Sequence, residues 1–321
     1  MLRILIVGCG DVGLRAARLL GEHARVYGLL RSPERATELR AAGVTPIPGD
    51  LDDRRGLRRA AALADYVLHL APPPAEGIAD PRSQRLVAAL GGRSLARGFR
   101  GNGLKGYAYR QGLGGNSGPR AVVYVSTTGV YGDCRGETVP ETRPARPRNA
   151  RALRRRDAER RLRAWAGRNA VRLAILRAPG IYAAGRLPEE RVRKGLPALL
   201  PDEDIHTNHI HADDLARLAI TALFRGRANR VYNAVDDSGL KMGDWFDAVA
   251  DHLRVPRPPR LSWEEVMAAV TPAMRSFLSE SRRMANGRVK GELRFRLRYP
   301  TVREGLAEPS SPTRKGGKDG G

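Results

Sequence analysis

The 321-residue chain predicts an α/β fold built on a doubly wound parallel sheet. Three observations carry the prediction. An apolar, β-branched run, LRILIV at 2–7, enters the turn Gly8-Cys9-Gly10-Asp11-Val12-Gly13 and then LRAARLL, whose apolar residues recur at helical spacing. Strand-like and helix-like segments then alternate at the intervals of βαβ units. The chain is also long enough to bury roughly 75% of its unfolded surface, so a core needs neither disulfide nor metal.

Taken in order, the first unit is the strand, glycine turn and helix just named. A second apolar stretch, Ala24 to Leu30, ends at Arg31-Ser32-Pro33, and ERATELRAAG reads as a helix closed by Gly43. Val44 to Pro48 forms a short third strand before Gly49-Asp50-Leu51. RRGLRRAAALA has helical spacing, and Tyr66 to Leu70 reads as a buried strand. A helix is expected near 82–90. The Gly- and Arg-rich stretch 91–120 (GGRS, RGFRGNG, GLGGNSG) cannot supply a packed core and reads as a long loop or disordered insertion. It joins a helix to a strand and so should leave the amino-terminal edge of the sheet, away from the carboxyl edge where ligands bind.

Ala121 to Val125 is the most β-prone run and leads into Ser126-Thr127-Thr128-Gly129-Val130-Tyr131-Gly132. A basic helix is expected over Arg151 to Trp165, then a strand over Arg172 to Leu176 and the turn Arg177-Ala178-Pro179-Gly180-Ile181-Tyr182. His209-Ile210-His211 reads as a strand entering a helix for which an Asp is available as cap. Helices and Pro-rich loops follow to Leu306, and the tail 307–321 has the composition of a disordered segment.

Composition narrows the function classes. The formal charge is +23, and only six of the 57 basic residues are lysine, which looks like a coding bias toward Arg. Because acids are also scarce, a polyanion-binding surface on the insertion and basic helix stays open as a third reading. The spread of the arginines and the lack of a recognition motif argue against nucleic acid as the main partner. No apolar run reaches the roughly 20 residues of a membrane span. MLRILIVGCG is too short and glycine-punctuated for a signal peptide, so a cytoplasmic protein is expected, with a small-molecule substrate; a homodimer is allowed. Cys9 and Cys134 show no paired or metal-binding spacing, and no metal ligands are expected.

Gly8, Gly10 and Gly13 satisfy G-x-G-x-x-G after a strand and at the start of a helix, the setting in which the motif binds a dinucleotide pyrophosphate. Asp11 and Val12 complete the turn. An NAD site places an acid about 20 residues on, for the ribose 2′-hydroxyl. Here Arg31 stands 18 residues beyond Gly13, followed by Ser32 and, one helical turn later, Arg35. Arginine and a hydroxyl suit a 2′-phosphate, so NADP is expected ahead of NAD. Asp50, with Leu51 beside it, either contacts the adenine or caps the following helix.

These motifs, with GDLDD at 49–53, HLAPPP at 69–74, STTGVYGD at 126–133, LRAPGIY at 176–182, HIHADDLA at 209–216 and YNAVDD at 232–237, resemble the extended or atypical short-chain dehydrogenase/reductase family of nucleoside-diphosphate-sugar epimerases and dehydratases. The resemblance implies a Rossmann-type domain over 1–182, with the insertion and with 205–237 returning to it. A smaller α/β substrate subdomain is implied from 183–204 and 238–306. It adds Leu70, Ala71, Pro72 and Pro179 to the expected cofactor contacts.

In that family a Ser or Thr after the fifth strand works with Tyr-x-x-x-Lys, the Tyr as acid/base and the Lys at the nicotinamide ribose. Thr127 matches the Ser/Thr position, with Ser126 adjacent. The family pattern E-x-x-P-x-x-P aligns on Glu141, Pro144 and Pro147, which places Arg151 at the Tyr and Arg155 at the Lys, with Glu159 matching a later Glu. An arginine cannot cycle a proton at neutral pH. Three outcomes follow. Tyr131, Tyr182 or His209 supplies the proton, water does, or the chain binds cofactor without turnover as a regulator or scaffold. Packing roles are the competing reading for both tyrosines and for His211, and the three tryptophans read as core or interface residues.

Overall fold

The computed structural model describes residues 1–91 and 118–307, so most of the predicted insertion and nearly all of the tail lie outside the described residues. The seven strands of the main sheet are β1 (Leu2–Val7), β2 (Ala24–Leu30), β3 (Val44–Pro48), β4 (Tyr66–His69), β5 (Ala121–Thr127), β7 (Arg172–Ala178) and β11 (Arg230–Asn233). They lie in the order β3-β2-β1-β4-β5-β7-β11, every pair parallel. Leu2 sits opposite Ala24, and the register runs unbroken to Val7 against Leu29.

Helices cover both faces. α1 (Asp11–Leu20), α2 (Ala36–Ala41) and α7 (Ala212–Arg225) lie on one side, and α3 (Arg54–Ala61), α4 (Pro81–Leu90) and α5 (Ala150–Arg168) on the other. The alternation in β1 shows why both faces are apolar. Ile4 and Ile6 join Leu14 and Leu218 in one core, while Leu5 and Val7 join Leu57 and Leu162 in the other.

Three two-stranded sheets sit at the carboxyl edge: β8 (Gly180–Tyr182) with β10 (His209–His211), β9 (Ala198–Leu199) with β12 (Arg260–Leu261), and β6 (Thr138–Val139) with β13 (Arg283–Met284). The short helix α6 (Glu189–Arg193), α8 (Met242–Leu253), α9 (Trp263–Ala269), α10 (Pro272–Leu278), α11 (Gly287–Glu292) and α12 (Val302–Leu306) complete the chain. A separate apolar cluster, with Tyr182, Val192, Trp245 and Phe246, holds this region together.

Two local expectations change. The basic helix extends one residue earlier and three later than expected, because Asn149 caps it by accepting from the Ala152 amide at 2.9 Å and its buried face continues to Trp165 and Ala166. At α7 the cap is His211, not an Asp: its Nδ1 accepts from the Asp213 amide at 3.3 Å. Asp213 and Asp214 instead occupy the first turn, where the helix dipole favours them, and Asp214 accepts from the Arg298 and Tyr299 amides.

Candidate functional site

The glycine turn forms one wall of a cavity of about 250 Å³ at the carboxyl ends of β1 to β4. Gly8 has φ +103°, and a Cβ there would lie 2.4 Å from the Ala71 amide nitrogen, so the backbone just past β4 leaves no room for a side chain. At Gly13 a Cβ would meet the Gly8 carbonyl oxygen at 2.6 Å, which keeps α1 tight against the turn. Gly10 is the opposite case, because a Cβ there would meet nothing within 4 Å. It caps α1 with no side-chain acceptor, leaving first-turn amides available to a phosphate, and it faces the cavity. These features fit a dinucleotide pyrophosphate.

Several of the other expected cofactor residues converge on the same cavity. Arg31, Ser32 and Arg35 line it from the end of β2, Asp50 and Leu51 from the end of β3, and Ala71 and Pro72 from the end of β4. Arg35 is anchored, donating from Nη2 to the Cys9 carbonyl at 2.9 Å and from Nε to Glu38 at 2.9 Å. Asp50 accepts from the Asp52 amide, and the cap of α3 is Asp53, which accepts from Arg55 and Gly56. Asp11 is held by ion pairs to Arg15 at 2.7 Å and Arg186 at 3.2 Å, Val12 is half-buried against the core, and the Leu70 amide donates to Val7. Arg82 also lines the cavity and was not singled out by the sequence; Asp52 holds it at 2.8 Å.

A second cavity, of about 220 Å³, opens at the carboxyl ends of β5 and β7. Thr127 and Arg151 line it together, and so does Pro179, which stands here and not beside the glycine turn. The Thr127 hydroxyl oxygen accepts from the Gly129 amide at 3.2 Å, leaving its proton to donate elsewhere. Ser126 is buried, and its Oγ has no hydrogen-bond partner among the described residues. The Arg151 guanidinium lies 4.2 Å from the centre of the Phe277 ring. One turn on, Arg155 donates from Nη1 to the Val125 carbonyl at 2.9 Å, the Tyr124 hydroxyl at 3.1 Å and the Ala71 carbonyl at 3.3 Å.

The candidate proton donors are not brought to this cavity as free groups. Tyr131 is buried, its hydroxyl donates to Asn233 at 2.8 Å, and desolvation raises its pKa. Arg177 lies over the same ring at 4.6 Å and pairs with buried Glu159 through contacts of 3.0 and 2.7 Å. The Tyr182 hydroxyl donates to the Thr301 carbonyl at 3.3 Å. His209 is enclosed against Trp245 at 4.3 Å, and burial pushes its pKa down to about 3. Sequence reasoning missed Phe277, Glu280 and Arg282, which line the second cavity from a region read only as helices and loops.

Fold and glycine turn together define a Rossmann-type NAD(P)-binding protein. The chain belongs to the NAD dependent epimerase/dehydratase family, which matches residues 4–234. Among solved structures it is similar to a functionally unknown conserved protein from Silicibacter pomeroyi DSS, at 30% identity and a TM-score of 0.73, covering 95% of this chain and 97% of that one. It is similar in fold to a dTDP-glucose 4,6-dehydratase from Bacillus anthracis str. Ames in complex with NAD, at 15% identity and a TM-score of 0.72, covering 95% and 94% of the two chains. Uncharacterized protein C2A9.02 of Schizosaccharomyces pombe is 27% identical over 270 residues, 79% of this chain and 82% of that protein. No helix among the described residues is long and apolar enough to cross a membrane.

Proposed function

We propose that the chain is an NADP(H)-binding oxidoreductase or epimerase-like enzyme acting on a carbonyl or hydroxyl group, with Arg151 and Arg155 in place of the family's Tyr and Lys. The observation that carries this reading is the reach of Arg155. Its Nη1 bonds the carbonyl of Ala71, which lines the first cavity, and that of Val125, two residues before Thr127 in the second. One cation thus joins the strand ends on which cofactor and substrate would meet. When bound, the nicotinamide supplies or accepts a hydride.

The chain's own residues have separable parts in this reading. Gly10 and the α1 amides hold the pyrophosphate, and Arg31 with Ser32 takes the 2′-phosphate that an acid would repel. Thr127 donates a hydrogen bond from its hydroxyl to the substrate oxygen, keeping its own proton. Arg151 adds a fixed positive charge there without moving a proton. Water supplies or removes the proton, since the hydroxyls of Tyr131 and Tyr182 are engaged in the interior. A sugar nucleotide is one substrate class within this reading, by analogy with the dTDP-glucose dehydratase.

The second reading, a non-catalytic dinucleotide-binding regulator or scaffold, is favoured by the same arginine at the Tyr position. Fluorescence titration with NADPH and NADH, followed by hydride transfer measured on a panel of carbonyl and hydroxyl compounds, separates the two. Preferential NADPH binding with turnover supports the enzyme. Binding with no turnover on any compound supports the regulator.

A further inference from the structure

The second cavity has an unequal set of polar groups. Its wall carries two arginines, Arg151 and Arg282, and one carboxylate, Glu280. That carboxylate is already engaged: Oε1 accepts from Asn149 Nδ2 at 3.2 Å and Oε2 from Arg282 Nη1 at 2.7 Å. Arg282 spends a further contact on the Gly132 carbonyl at 3.0 Å, yet its Nε is buried with no hydrogen-bond partner among the described residues. Asn208 is engaged as well, donating to the Arg282 carbonyl and accepting from the Met284 amide. Thr127 keeps a hydroxyl proton to give. His206 also lines the wall, and burial with Arg283 and Lys241 nearby lowers its pKa, so it adds no charge at neutral pH.

Arg151 is the decisive group. Among the described residues it has neither a hydrogen bond nor an ion pair, although it stands at the cavity wall. Stacking on Phe277 occupies the face of the guanidinium and leaves its in-plane N–H groups open, the geometry that receives a carboxylate or phosphate through two parallel hydrogen bonds. The free charged group of the cavity is therefore a donor, Arg151, which leaves a surplus positive charge and no spare carboxylate.

Resting on the proposed function for the location of the site, we infer that this cavity binds its substrate through an oxyanion, a carboxylate or a phosphate, with Arg151 as the principal contact and the Thr127 hydroxyl as the second. A cavity of about 220 Å³ suits a small acid or phosphate ester. The residue that displaces the proton donor of the relatives thereby becomes the residue that selects a charged substrate.

The test reads binding by calorimetry, with oxalate and methyl phosphate as probes, on wild type, Arg151→Met, Arg151→Lys and Arg31→Ala. Wild type should bind at least one probe, and the tighter one names the group. Arg151→Met should weaken it at least about tenfold, as expected for a lost charge-assisted bond, and Arg31→Ala, which alters only the first cavity, should leave that Arg151-dependent binding in place. Arg151→Lys keeps the charge and loses the fork, so oxalate should weaken more than methyl phosphate. If Arg151→Met does not fold, that lysine comparison decides. The inference is overturned if neither probe binds wild type at about 10 mM. It is also overturned if both arginine-151 variants bind as wild type does, or if only Arg31→Ala loses the anion, which would put it at the glycine turn. A parallel NADPH titration keeps the two readings apart. No NADPH binding with an Arg151-dependent anion removes the dinucleotide reading alone, and the converse removes this inference alone.

Discussion

Arg35 reaches from the start of α2 to the glycine turn, its Nη2 donating to the Cys9 carbonyl at 2.9 Å. That bond ties the strand end expected to read the ribose to the turn expected to hold the pyrophosphate. Arg31 lines the same cavity but has no hydrogen-bond partner among the described residues. The two arginines therefore have different parts to play.

Arg31→Ala should weaken NADPH by about tenfold or more, the loss expected for one charge-assisted contact, and leave NADH unchanged. Arg35→Ala should weaken both, since it also releases the turn. Fluorescence titration of the two variants with both nucleotides checks this. Equal loss for both nucleotides in Arg31→Ala would defeat the 2′-phosphate assignment.

Gly8 and Gly10 should part company in the same way. Gly8→Ala puts a methyl 2.4 Å from the Ala71 nitrogen in a left-handed backbone, and the strain alone costs about 1–3 kcal/mol. Its thermal midpoint should fall sharply. Gly10→Ala has φ −82° and open space around the new carbon, so the midpoint should hold while dinucleotide binding is lost.

The parts of the molecule legible in the sequence were those set by neighbours in the chain. The β1 turn, the strand ends carrying Arg31, Asp50 and Ala71, and the alternating helices follow from short-range patterns, and the sheet assembles them into one cavity. The second cavity was legible only in part. Thr127 and Arg151 could be placed from their motifs, but Phe277 and Arg282 reach the site from more than 120 positions further on, in segments with no local signal. Tyr131 is a candidate proton donor in the sequence because it follows a strand end. Its hydroxyl is instead taken by Asn233, 102 positions away, a partner no spacing rule would supply.

The buried pair Arg177–Glu159 should matter to stability more than the surface ion pairs. Arg177→Met leaves Glu159 charged and unpaired in the interior, which costs about 3–5 kcal/mol. Replacing both, as Arg177→Met with Glu159→Leu, should recover much of that loss. Denaturant midpoints of the single and double variants check the prediction, and a double variant no better than the single would refute it.

Asp236 should leave a pH signature of opposite sign to that of the histidines. It is buried, one carboxylate oxygen lacks a hydrogen-bond partner among the described residues, and burial pushes its pKa up to about 7 from 3.8. Between those values the native state keeps a proton that the unfolded chain has lost, so this group's contribution falls as pH rises, by at most about 1.4 kcal/mol per pH unit. His69 and His209, both pushed down to about 3 from 6.5, act the other way, because the unfolded chain takes up protons that the native state refuses. The whole-protein profile mixes the two, whereas the difference between wild type and Asp236→Asn isolates the carboxyl. That difference should grow in favour of the variant from about pH 4 to pH 7 and then level off. Urea unfolding of both proteins across that range measures it, and a difference independent of pH would show that Asp236 titrates as an ordinary carboxylate.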